Sequence, residues 1–224
     1  MLLTQTHTVA AGPWARETGK TFLSLSVEQD REDDRYTSLY AEYGLSPRHT
    51  VGLELGHADQ DETSALLWFQ RVLDNGQGPD RVSVASGIGA IRRDGQTVPV
   101  GQISAHWGRG FDRFAGGGWM TVDTRIKVAG EMRTEWQAPG VSVSYLTPET
   151  SAKADLTLGL KPRAAIMLIT QLRLEQRKDS GFSAKLAGSV VQDIAGPAKV
   201  ELGVIAPVSG DGEPALKIGS WLEF

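Results

Sequence analysis

Residues 152–161 read Ala-Lys-Ala-Asp-Leu-Thr-Leu-Gly-Leu-Lys. Ala152, Ala154, Leu156, Leu158 and Leu160 share one parity; Lys153, Asp155, Thr157, Gly159 and Lys161 share the other. Side chains of an extended chain alternate between two faces, so this stretch predicts a β-strand with one apolar and one ionic face. A helix would repeat its apolar residues every three or four positions, and this stretch does not.

The period of two recurs on both sides of this segment. It is clear in 21–28, 36–45, 49–57, 119–128, 166–176, 198–206 and 215–224, and weaker in 65–72, 82–91, 98–108 and 184–194, which makes twelve segments in all. Helical periodicity never takes over. The connections alternate in character. Those over 29–35 (QDREDDR), 57–63 (HADQDET), 92–97, 177–181 and 209–213 (SGDGE) are polar and mostly charged. Those at 46–48 (SPR), 161–163 (KPR) and 196–197 (GP) are tight turns. Residues 75–79 and 108–118 fall on the tight-turn end although they are longer. The longest insertion, 130–150, falls on the charged end, and 131–145 has room for an extra hairpin. The phase holds throughout, so an up-and-down meander brings both its ends to the tight-turn side.

Composition narrows the classes. Among 224 residues there are 26 Gly, 6 Trp and no Cys, with a net charge of −4. Without cysteine there is no disulfide scaffold, cysteine zinc site, iron–sulfur cluster or thiol nucleophile. The acidic balance gives no reason to expect a nucleic-acid partner. A mean hydropathy of −0.22, with no apolar run of ~18 residues, excludes a helical membrane protein but not a membrane β-barrel, whose alternating strands look soluble on average.

Strands of about ten residues tilted by ~40° span roughly 25 Å, the height of a barrel's apolar band. The polar faces carry both signs of charge: Glu42, Glu54, Asp123, Arg125, Lys127, Lys153, Asp155, Arg173, Glu175, Lys185, Lys199, Glu201, Lys217 and Glu223. A water-filled lumen accommodates such a face. A soluble β-sandwich with its apolar faces turned inward gives the same pattern and is the competing architecture. Aromatic residues near strand ends, Tyr43, Trp107, Trp119, Trp221 and Phe224, fit an interfacial girdle, where a ring is apolar and its N–H or O–H is wet.

The final segment, Leu216-Lys217-Ile218-Gly219-Ser220-Trp221-Leu222-Glu223-Phe224, alternates up to an aromatic residue. It resembles the terminal β-signal of Gram-negative outer-membrane proteins, which the barrel-assembly machinery reads; Ser220 departs from the apolar phase kept by Leu216, Ile218, Leu222 and Phe224. The stretches 19–26 (GKTFLSLS), 36–56 (YTSLYAEYGLSPRHTVGLELG), 107–111 (WGRGF), 155–162 (DLTLGLKP) and the last strand are similar to uncharacterised small barrels of alphaproteobacteria. The resemblance implies an all-β fold, a closed up-and-down antiparallel transmembrane β-barrel of about 12 strands over 20–224, placed in the bacterial outer membrane. It implies contact with outer-membrane lipid and lipopolysaccharide, and it carries no catalytic residues. Residues 1–19 are expected to be a leader and lead-in. Within them Val9-Ala10-Ala11 satisfies the small-residue rule of a signal cleavage site.

Candidate chemistry is sparse. Gly19-Lys20-Thr21 lacks the P-loop glycine five positions earlier, where Trp14 stands. His7, His49, His57 and His106 show no metal-ligand spacing, and no cofactor is expected. The loop with Asp59, Asp61 and Glu62 reads as solvated, with a divalent cation as the sharper alternative. Ser104 and His106 share a face, but a nucleophile–base pair needs contact and a third, orienting group. The expected function is therefore a monomeric, non-enzymatic narrow channel for small polar solutes or ions, with Arg125, Lys127, Lys153, Asp155, Arg173, Glu175 and Lys199 setting selectivity. A non-conducting structural or adhesive barrel and a soluble all-β binding protein are the alternatives.

Overall fold

An open sheet of long strands leaves two rows of unpaired backbone groups at its edges, and closure removes them. The computed structural model shows that closure. It describes residues 12–224 apart from 60–61, 94, 113–115, 139–140, 179–180 and 211, and within 131–145 it describes the backbone alone. Twelve antiparallel strands form one ring: β1 (Thr21–Asp30), β2 (Arg35–Ser46), β3 (His49–Ala58), β4 (Glu62–Val72), β5 (Asp80–Arg93), β6 (Gln96–Phe111), β7 (Gly118–Ala138), β8 (Val141–Arg163), β9 (Ile166–Arg177), β10 (Gly181–Ala195), β11 (Ala198–Ser209) and β12 (Ala215–Glu223). Each strand pairs with its sequence neighbour, and β1 pairs with β12 from Phe22↔Glu223 to Asp30↔Ala215 to close the ring. Thr21 N–H donates to the Phe224 carbonyl (2.7 Å), and Phe224 N–H to the Thr21 carbonyl (3.0 Å).

The alternation sets which side faces out. Leu67, Ile88, Ile103, Leu202, Leu216 and Ile218 lie on the outer surface and are 55–74% exposed. The apolar rows therefore do not meet each other across a dry core, as a sandwich would require. They form an outward band, and the sandwich reading is excluded. Among the described residues no helix is long and apolar enough to cross a membrane, so any crossing is made by the strands.

The insertion expected over 130–150 is neither a separate loop nor an additional hairpin. It is the continuation of β7 and β8, paired with each other from Gly130↔Pro148 to Ala138↔Val141. The flanking ladders stop lower, at Val100↔Ala129 and Ser151↔Arg177. Nine residues of β7 and eight of β8 thus pair beyond the ring as a two-stranded extension roughly 30 Å long.

Val9-Ala10-Ala11 lies outside the described residues, but from Gly12 onward the chain enters the barrel at the tight-turn end. Pro13 and Arg16 are buried there, and Thr18 forms a parallel bridge with Gly44.

Candidate functional site

The interior has two levels of different character. At the tight-turn end it is dry. Phe22, Trp119, Met167, Val191 and Trp221 form one buried cluster, with Trp14, Tyr40 and Ile169 packed on it. A second cluster, Leu66, Trp68, Ile91, Val98, Val100 and Ala129, runs from mid-barrel to the charged-loop end of β5–β7, away from this dry level. Polar residues of this level are equally sealed: Thr50 (1%), Gln70 (1%) and Ser83 (0%). The rings need bare backbone beside them. A Cβ on Gly52 would overlap the Trp68 indole, and one on Gly159 would overlap that of Trp119.

Trp119 and Trp221 are therefore not girdle residues. They are 4% and 5% exposed and point inward, Trp221 edge-on to Phe22 at 6.1 Å between ring centroids. The reason is parity: Trp119 is in phase with Asp123 and Arg125, and Trp221 with Lys217. Tyr43 and Phe224 face outward, 45% and 56% exposed, and Trp107 has the outward parity of Ile103.

Above the dry level lies a cavity of about 620 Å³ lined by Glu54, Asp123, Arg125, Lys153, Asp155, Arg173, Glu175, Lys185, Glu201 and Lys217, among others. Lys127 continues the inward parity of Arg125 on β7, and Lys199 that of Glu201 on β11. Lys199 pairs with Asp193 (2.6 Å) near the tight-turn end. Glu42 sits below the cavity, where it holds Arg16.

Most of these charges are paired. Arg125 meets Asp155 at 2.7 Å, Lys153 meets Glu175 at 3.1 Å, and Lys217 meets Glu201 at 2.9 Å, each across neighbouring strands. Arg173 differs: it joins Glu28 at 3.0 Å. Since β9 and β1 are four strands apart in the ring, this pair crosses the lumen. Glu54, Lys127 and Lys185 make no ion pair within 4 Å among the described residues. The wall of β7–β10 carries Arg125, Lys127, Lys153, Arg173 and Lys185 against three carboxylates, Asp123, Asp155 and Glu175. The facing wall of β1–β3 carries Ser24, Ser26, Glu28, Tyr36, Ser38 and Glu54. A polar solute in the cavity thus meets a predominantly cationic side and a hydroxyl-and-carboxylate side.

His106 Nδ1 lies 2.7 Å from Asp123 Oδ1, which supplies the orienting group that the sequence left unnamed. Thr121 donates to the other oxygen of Asp123 (2.8 Å). Among the described residues no hydroxyl hydrogen-bonds the remaining His106 nitrogen, and Ser104 stays one strand repeat away. No group of three or more His, Asp and Glu that could hold a metal occurs among the described residues. In the acidic loop, Glu62 is taken by Arg93 at 2.7 Å, and Asp61 lies outside the described residues.

A closed ring of twelve meandering strands, apolar outside and ionic inside, is a transmembrane β-barrel of the outer-membrane type. No protein-family model matches the sequence, and no curated protein matches it. Solved structures do match the fold. The NanC porin superposes with a TM-score of 0.61 at 9% identity, covering 89% of this chain and 98% of that one. An outer-membrane channel from Pseudomonas putida F1 gives 0.61 at 10% identity, covering 97% and 100%. The translocator domain of the autotransporter NalP from Neisseria meningitidis gives 0.57 at 11% identity, covering 93% and 90%. These neighbours are outer-membrane barrels, and the chain shares their architecture.

Proposed function

We propose that this barrel is a narrow, gated outer-membrane channel for small polar solutes or ions. It would act as a monomer inserted by the barrel-assembly machinery, among outer-membrane lipid and lipopolysaccharide. The observation that carries the reading is the cavity of about 620 Å³ with charges of both signs on its walls. A barrel serving only as a scaffold gains nothing from keeping ionic groups inside, because each buried charge costs several kcal/mol unless it is paired or hydrated. Arg125, Lys127, Lys153, Asp155, Arg173, Glu175 and Lys199 are the groups proposed to set selectivity. Taken over all fourteen inward charges read from the sequence, seven are cationic and seven anionic, which favours weak preference between cations and anions. The porin and channel neighbours agree with this reading.

The experiment is single-channel recording in planar bilayers with a salt gradient. The expected result is a small conductance with a reversal potential close to zero, enlarged when Arg173→Ala removes the pair that spans the lumen. A folded barrel that stays silent, both as it stands and after the tight-turn mouth is opened, refutes the channel.

A further inference from the structure

Residues 12–19 have no role in closing the sheet, yet they are held inside the barrel by specific contacts on several sides. Arg16 Nε donates to Glu42 (2.9 Å), its Nη2 contacts the same carboxylate, and its Nη1 donates to Glu223 (2.7 Å). One guanidinium therefore ties β2 to β12 across β1. Its backbone N–H donates to Thr50 Oγ1 on β3 (2.9 Å), and its guanidinium carbon lies 4.9 Å from the centre of the Phe22 ring. Gln70 on β4 donates to the Gly12 carbonyl (2.8 Å), while Gly19 N–H donates to the Gly44 carbonyl (2.8 Å). The wall is shaped to receive the segment. A Cβ at Gly108 would come within 2.5 Å of Pro13 and 2.7 Å of the Trp14 ring, and one at Gly44 would strike the carbonyls of Glu17 and Arg16.

We propose that residues 12–18 are a displaceable plug of the tight-turn mouth and that Arg16 is its latch. The segment contributes no strand to the ring, so it can leave without breaking the barrel's ladders. The charged side chain that it buries is Arg16, shared by two carboxylates. Removing one partner of a buried pair leaves the other charged and unpaired, which favours the displaced state, where water reaches it. The inference deepens the channel reading by naming what keeps the mouth shut.

The test uses the absence of cysteine in the chain. A Pro13→Cys barrel, confirmed as folded by heat-modifiable gel mobility, is labelled with a membrane-impermeant maleimide. It is compared with the same barrel carrying Arg16→Gln, or carrying Gly44→Ala, which presses on the backbone of the segment without touching a charge. Gly110→Ala, whose Cβ would meet nothing within 4 Å, is the control. Labelling is expected to rise about tenfold or more with Arg16→Gln and with Gly44→Ala, and to stay level with Gly110→Ala. Unchanged labelling in folded Arg16→Gln and Gly44→Ala barrels overturns the plug. Conductance of the same variants is read separately. Faster labelling with increased conductance supports plug and channel together; faster labelling in a silent barrel supports the plug and overturns the channel.

Discussion

Replacing Ile88 by arginine distinguishes a lipid-facing surface from a solvent-facing one by the size of a single free-energy change. Ile88 lies in mid-strand on β5, opposite Leu67 on β4, and is 74% exposed, the largest exposure among the described large apolar residues. If that surface faced water, the substitution would change stability by about 0.5 kcal/mol or less, as surface changes usually do. If it faces hydrocarbon near the bilayer midplane, the arginine costs about 2–4 kcal/mol. Losing the isoleucine from an apolar environment adds about 1–2 kcal/mol, given that some three quarters of the side chain is available to lipid. The expected loss is therefore roughly 3–6 kcal/mol. The assay is reversible denaturant unfolding of the barrel in lipid vesicles, followed by tryptophan fluorescence. Ser189→Lys, which lines the cavity, serves as the internal comparison and should cost about 1 kcal/mol or less, because lumen charges meet water. An Ile88→Arg loss below about 0.5 kcal/mol would refute the assignment of the outer face to lipid.

Two further outcomes follow from the interior. Lys217→Ala leaves the Glu201 carboxylate, 4% exposed, without its cation and should lower stability by about 3–5 kcal/mol, whereas Lys217→Met combined with Glu201→Leu should return to within about 1–2 kcal/mol of the parent in the same unfolding assay. Trp119→Ala should cost about 3–5 kcal/mol as the loss of a buried ring, against about 1 kcal/mol for the outward Tyr43→Ala; comparable losses at both positions would return Trp119 to the interface.

The ring itself was legible because β-alternation is a local property. Each of the twelve segments declares its two faces within about ten residues, and the even phase of the connections settles where the termini meet. The interior charges were legible for the same reason: Asp123, Arg125 and Lys127 repeat at spacing two. The buried clusters were not. In 66–72 (LWFQRV after Leu66) both parities are apolar, so Leu66 and Trp68 facing inward cannot be told from Leu67 and Phe69 facing out. Trp119 and Trp221 sit near strand ends, where girdle residues sit, but they share the parity of Asp123 and Lys217, and phase outranks position along the strand in deciding which way a side chain points. The plug left no pattern at all. Arg16 meets partners 26 and 207 residues away, and Gly44 gives no sign of the backbone that passes over it.

The arrangement of charges inside the ring separates what can exchange from what is fixed. Asp123 faces Asp155, Arg125 faces Lys153, and Arg173 faces Lys185 directly across the ladders. Like charges in directly opposed positions repel. The diagonal contacts Arg125–Asp155 and Lys153–Glu175, with the cross-lumen Arg173–Glu28 pair, relieve that repulsion but leave Lys127, Lys185 and Glu54 with no ion-pair partner within 4 Å among the described residues. A wall built for stability alone would have set opposite charges face to face. This one pairs its charges diagonally, at 2.7 and 3.1 Å, around a polar cavity, and in the proposed channel a polar solute would compete for those same partners. Arg16, by contrast, lies in the dry level with both carboxylates committed to it. Conduction is therefore expected to be limited where the charges are sealed by packing, and selectivity to be set where they are shared with water.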